Sequence, residues 1–174
     1  CKPSLKEKAD SLHQQIVTLD SHTDTPLNLM DGTLDLSVWN DAKTSYTKYD
    51  YPRMTAGGLD AAFFAVFVGQ GQRTEEGNSK AIDKAHRIFK ALHEELARHS
   101  ELAALAINPD DALAIKNEGK KAIYVGIENG YVIGNDLSLL EEYYNMGTRY
   151  VTLVHTRNND ICDSSNDTIE HNGL

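Results

Sequence analysis

Apolar and polar positions alternate between two periods along this chain, and the switches between them predict its elements. Ser4 followed by Glu7 is a capping-box pattern, so Leu5 to about Gln14 reads as a short amphipathic helix. "QIVTLD" then forms an apolar, β-branched run that predicts a buried strand. The stretch from Asp31 to Pro52 is polar, aromatic and unperiodic, a long loop. "AAFFAVFV", Ala61 to Val68, is a second strand bounded by glycines. Ile82, Ala85, Phe89, Leu92 and Leu96 recur at helical spacing, one face of a helix from about Ser79 to His99. Asn108-Pro109 caps a further helix that Gly119 ends. "AIYVGIE" is a third strand, Asp136 to Met146 a helix closed by Gly147, and "RYVTLVH" a fourth strand.

Strands alternating with helices, with the strands apolar throughout, imply a parallel sheet covered by helices. Two α/β architectures fit, a doubly wound sheet or a (β/α)8 barrel, and both place chemistry at the carboxyl ends of their strands. No internal repeat or low-complexity segment is present.

Composition narrows the field. The chain has 174 residues, 40% hydrophobic and 25% charged, as expected of a folded domain with a core. A net charge of −9 argues against a nucleic-acid partner, which needs clustered Lys and Arg. No apolar run approaches the ~20 residues of a membrane span. The two cysteines, Cys1 and Cys162, are too few for a disulfide framework and form no C-x-x-C pair. A cysteine at position 1 followed by "KPSLKEK" matches a lipidated, tethered bacterial lipoprotein as well as an arbitrary boundary. The first reading would put the protein outside the cytoplasm, periplasmic or membrane-anchored, with residues 1–15 as tether and short helix.

The strand ends carry the candidate chemistry. "IVTLDSHTDTP" places Asp20, His22 and Asp24 on alternate positions where the first strand stops. The third strand ends in Glu128 and the fourth in His155. Side chains two apart on a strand share a face, so His22 and Asp24 can converge on one ion. Imidazole nitrogen with carboxylate oxygen suits Zn²⁺, or Mn²⁺ or Co²⁺. Glu128 could bridge two metals, Asp20 would support a ligand from behind, and His155 would ligate or polarise a substrate oxygen. H-x-D alone is a weak signal, and Asp, His and Glu-Asn-Gly also serve as ordinary caps and turns; three strands ending alike raise the odds. Other motifs fail. "HEELA" lacks the second histidine of H-E-x-x-H, "GQGQRT" lacks a third glycine, and no phosphate loop or G-x-S-x-G elbow exists. His86, His99, Glu75-Glu76 and Glu94-Glu95 read as solvated surface.

"LDSHTDTP", "YPRMTAGGLDAAFFAVFVG", "GIENG", "RYVTLVHTRNND" and "HNGL" resemble, in this order, the renal (membrane) dipeptidase family, from about Ile16 to Leu174. The resemblance implies the first half of a (β/α)8 TIM-type barrel over residues 16–174 and a zinc-dependent dipeptidase. It implies two Zn²⁺ with a bridging hydroxide that attacks the peptide bond. His22 and Asp24 would hold the first metal, Glu128 would bridge both, and His155 would act catalytically at the scissile carbonyl. Where the family turn reads E-G-G-H, this chain has Glu128-Asn129-Gly130-Tyr131. The family's further ligands follow "HNGL", and His171 does not match a ligand position. The remaining half of the barrel is therefore an expected partner, and this chain alone is expected to be inactive. Alternatives are another amidohydrolase-type hydrolase acting on an N-acyl amino acid or lactone, or a non-catalytic α/β module. The tyrosine-rich loop (Tyr46, Tyr49, Tyr51) would cover the site mouth or pack between the subunits of a homodimer.

Overall fold

The computed structural model describes residues 2–45 and 47–170; the expectations resting on Cys1, Tyr46 and His171 lie outside the described residues. Among the described residues no helix is long and apolar enough to cross a membrane. Helix α1 (Leu5–Gln15) opens with the expected capping box: Glu7 accepts the Ser4 N–H at 2.7 Å, and Ser4 Oγ accepts the Glu7 N–H at 3.3 Å. It buries none of its residues, however, and Leu5 is 85% exposed. His13, whose Nε2 lies 3.0 Å from the Gly58 carbonyl oxygen, ties it to the body.

Strand β1 runs Leu19–Thr23, four residues later than its sequence pattern begins. Pairing starts only where Asp60 accepts the Thr18 N–H at 3.0 Å and Thr18 donates its hydroxyl to the Gly58 carbonyl at 2.7 Å. Strand β2 (Ala61–Phe67) sits beside it, and β4 (Lys121–Glu128) lies beside β2. The far side of β4 is shared: the short strand β3 (Ala103–Leu105) takes its first half and β5 (Thr148–Thr152) its second. Every pairing is parallel. β2 and β4 are buried almost throughout, which is why their sequences are continuously apolar.

Two layers cover the sheet. Phe64, Val66, Val125 and Ile127 form one core with Ile88 and Phe89 of α3 (Glu75–Arg98). The other core packs Ala61, Ala122 and Tyr124 against Ala112 and Ile115 of α4 (Asp111–Asn117). Helix α3 starts four residues before the expected Ser79, because Thr74 caps it by accepting the Gly77 N–H at 3.1 Å. Helix α4 starts after Pro109, where the Asp111 carboxylate accepts the N–H groups of Ile107 and Asn108 at 2.7 and 2.8 Å. Helix α5 (Ser138–Asn145) precedes β5, which ends three residues short of His155.

The loop after β1 differs from its reading. It ends in helix α2 (Tyr51–Gly57), capped by Asp50, which accepts the Arg53 N–H at 2.7 Å. Leu36 is fully buried, and its N–H reaches Glu95 of α3 at 3.2 Å. Glu95 is thus 2% exposed, not solvated as its helical neighbours suggested, and His99 is nearly buried beside it. His86 does stay half-exposed, with Nε2 2.7 Å from Glu142 Oε1.

Candidate metal centre

Register decides which way each residue of "DSHTD" faces. Asp20 pairs with Ala62 and Thr23 with Phe64, so β1 holds one residue more than β2 over the same span. Such a bulge resets the alternation. Asp20 and Thr23 share the face of Ala62 and Phe64, whereas His22 turns to the opposite face, toward Glu128. The regular alternation expected for Asp20, His22 and Asp24 is therefore broken at its first member.

On that opposite face His22, Asp24 and Glu128 offer one ligand atom each, all within 4.8 Å of one another. His22 Nε2 lies 3.0 Å from Glu128 Oε2 and 3.6 Å from Asp24 Oδ1. The other Glu128 oxygen, Oε1, lies 3.1 Å from His155 Nε2, so one carboxylate spans two imidazoles. Ligands of a tetrahedral ion held at ~2.0–2.2 Å stand about 3.3 Å apart, so the donor types and spacing fit a divalent cation of the zinc class. His155 meets Phe67 edge-on at 5.0 Å between ring centres. Burial first, then the charge of Asp24, pushes the Glu128 carboxyl above its ordinary range, against the opposing pull of His22 and His155.

Two supporting groups escaped the sequence reading, Tyr150 and Gly126, and two that it named, Tyr49 and Asn129, support the site in ways it did not foresee. The Tyr150 hydroxyl lies 3.0 Å from His22 Nδ1, the ring nitrogen turned away from Glu128. Room for the Tyr150 ring comes from its strand partner Gly126, where a Cβ would stand 2.1 Å from the ring. A glycine inside an apolar strand was the available signal. Asp20 does not touch the His22 imidazole. Its carboxylate accepts the His22 backbone N–H at 3.1 Å and the Tyr49 hydroxyl, and those bonds, the Tyr49 one foremost, hold it below the usual carboxylate range. Tyr49 therefore braces the strand from the helix side, edge-on to Phe64, and does not cover the site mouth.

Asn129 fixes where Glu128 ends its strand. It is fully buried with φ 76°, a region that glycine and asparagine tolerate best. Its side chain donates to the Val68 carbonyl at 2.9 Å and accepts from Asn159 at 3.1 Å, while its N–H reaches Thr152 Oγ1 at 2.9 Å. Asn129 thus joins the ends of β2, β4 and β5. Tyr131, the last residue of the divergent turn, is buried and donates its hydroxyl to the Gln72 carbonyl at 2.6 Å, away from His22, Asp24 and Glu128.

The family model of membrane dipeptidase (peptidase family M19) matches residues 6–174. The dipeptidase ataJ of Aspergillus terreus is 26% identical over 167 residues, covering 92% of this chain and 40% of that protein. The solved structure of the probable dipeptidase PvdM from Pseudomonas aeruginosa has a TM-score of 0.79 at 25% identity, covering 91% of this chain and 39% of that one. Dipeptidase AC, a metallopeptidase, gives a TM-score of 0.67 at 22% identity, covering 83% of this chain and 44% of that one. The chain thus spans about two-fifths of the length of these relatives and corresponds to the N-terminal part of their (β/α)8 barrel. The parallel α/β sheet is that barrel's opening arc, and by the match along nearly its whole length the chain belongs to the membrane dipeptidase family, peptidase family M19.

Proposed function

We propose that the full-length protein containing this chain is a metal-dependent dipeptidase. The convergence of His22, Asp24 and Glu128 at the strand ends carries this reading. In it, His22, Asp24 and Glu128 would hold divalent metal, zinc or alternatively Mn²⁺ or Co²⁺, with Glu128 as the carboxylate common to two ions. A second ion would take its remaining ligands from the C-terminal part of the barrel. Once bound, the metal pair supplies Lewis acidity, which lowers the pKa of water toward neutrality and polarises the peptide carbonyl.

The chain's own residues do the rest. His155, whose ring is held edge-on by Phe67, donates from Nε2 to the oxygen on which negative charge develops. Tyr150 accepts from His22 Nδ1, leaving the Nε2 lone pair free to ligate. Asp20 fixes the His22 backbone at the bulge. The test is metal content and hydrolysis of dipeptides by the full-length protein, with N-acyl amino acids and lactones assayed alongside. Hydrolysis that favours dipeptides and disappears with chelation is expected. Protein reconstituted with Zn²⁺, Mn²⁺ or Co²⁺ that leaves every dipeptide intact would overturn the reading.

A further inference from the structure

A second group of donors lies away from the strand ends, where the last turn of α3 meets the loop after β1. Glu95 and His99 are four residues apart and so share one side of the helix. Asp35 reaches them from the loop. His99 Nε2 is 3.2 Å from Asp35 Oδ1 and 3.8 Å from Glu95 Oε1, and one ligand atom from each residue falls within 4.8 Å of the others. These separations bracket the ~3.3 Å expected between neighbouring ligands of a tetrahedral ion.

Proximity of acids to a histidine is common, and a second observation is what points to a ligand. His99 Nε2 is inaccessible to solvent and has no hydrogen-bond partner among the described residues, although a carboxylate oxygen is 3.2 Å away. The nitrogen is close to that oxygen without being aligned for an N–H···O bond. Tyr51, 3% exposed, meets His99 edge-on at 6.5 Å, and its hydroxyl likewise lacks a partner among the described residues. Burial first, and then the charges of Glu95, Asp35 and Glu101, push the Tyr51 hydroxyl far up. Orphaned buried polar atoms are rare in native proteins, and two in one neighbourhood ask for a missing partner.

Charge argues the same way. Against the carboxylates of Asp35, Glu95 and Glu101 stands Arg98, whose Nη1 binds Glu95 Oε2 at 3.1 Å. Glu95 Oε1 receives the Leu36 N–H and faces the histidine. A cation accepted by the His99 lone pair would satisfy Nε2 and offset the charge of the buried Glu95 and the half-exposed Asp35. One imidazole nitrogen with two carboxylate oxygens suits a zinc-class ion.

We infer that Asp35, Glu95 and His99 form a second, structural divalent-cation site that staples the loop after β1 to α3. The staple acts on the segment that carries Tyr49 to Asp20, so it steadies the approach to the strand-end centre without belonging to it. The inference does not depend on the dipeptidase reading.

The decisive measurement is zinc stoichiometry of the full-length protein by elemental analysis, with anomalous diffraction at the zinc edge. Asp35→Asn and His99→Gln should each lose one equivalent of zinc, whereas His22→Ala retains that equivalent. Zinc added to chelator-treated protein should raise Tm in the native protein and by less in Asp35→Asn. If His99→Gln fails to fold, Asp35→Asn decides alone, because asparagine can still accept the Ser37 bonds that Asp35 accepts. Native stoichiometry in Asp35→Asn, or no anomalous peak beside His99, overturns the site.

Discussion

The Tyr150 hydroxyl stands 3.0 Å from His22 Nδ1, on the far side of the ring from Glu128. A ligating imidazole needs its proton on the nitrogen that does not bind metal, and a partner there fixes both tautomer and orientation. Tyr150→Phe keeps the ring and removes that partner. Metal affinity of the full-length protein should fall by about 10-fold or more, measured by competition with a chelating dye. Unchanged affinity would mean that His22 is held by packing alone.

Gly126 should fail for a related reason. A methyl group at this position would stand 2.1 Å from the Tyr150 ring, which has to move for Gly126→Ala to be accommodated. Overpacking of this kind costs about 1–3 kcal/mol. Urea unfolding should show that loss, and the metal affinity of Gly126→Ala should fall alongside that of Tyr150→Phe because both disturb one contact. A stable variant with native affinity would show that the sheet spreads to absorb the methyl.

Glu128 and His155 touch, at 3.1 Å, yet their removal should separate cleanly. Glu128→Ala takes away the carboxylate shared by both histidines, so metal per chain should fall. His155→Ala leaves His22, Asp24 and Glu128 in place. It should keep its metal while kcat drops by about 10²–10³, the usual effect of losing one oxyanion donor. Elemental analysis beside steady-state kinetics on one dipeptide distinguishes the two. A His155→Ala protein that loses metal in step with activity would make His155 a ligand.

These contacts show how far a linear reading carries. The parallel α/β order was legible because buried strands are continuously apolar, and the grouping of His22, Asp24, Glu128 and His155 because polar residues at or just past strand ends stand out, although β5 stops at Thr152. The bulge between Asp20 and Thr23 was not, since it depends on which residues of β2 stand opposite. Tyr150 looked like any strand tyrosine until Gly126 was placed beside it. The brief strand β3 has three residues, too few for a period to show. Glu95 misled for another reason: it stands in the pair Glu94-Glu95, which reads as solvated, yet the loop carrying Leu36 packs against it and its carboxylate accepts the Leu36 N–H. Local pattern reports the element and the types of donor at its ends, while register and long-range loops decide what a side chain meets.

Asp60 ties the entrance of β1 to α4 and gives a prediction about acid stability. Its carboxylate accepts the Thr18 N–H at 3.0 Å and the Lys116 ammonium at 2.8 Å, with both charged side chains mostly buried. Burial pushes the Asp60 carboxyl up, but Lys116 and the Thr18 bonds outweigh it and leave the group below its ordinary value. The folded protein therefore holds this proton less tightly than the unfolded chain does. The resulting stabilisation is complete above about pH 4, near the unfolded carboxyl's own titration, and is lost as pH falls through the lower folded value. Asp60→Asn removes the charge and should cost about 2 kcal/mol at neutral pH by urea unfolding. The gap between native and variant should hold constant from pH 7 to pH 5 and close only in stronger acid. A gap that already narrows near pH 6 would assign it to a different group.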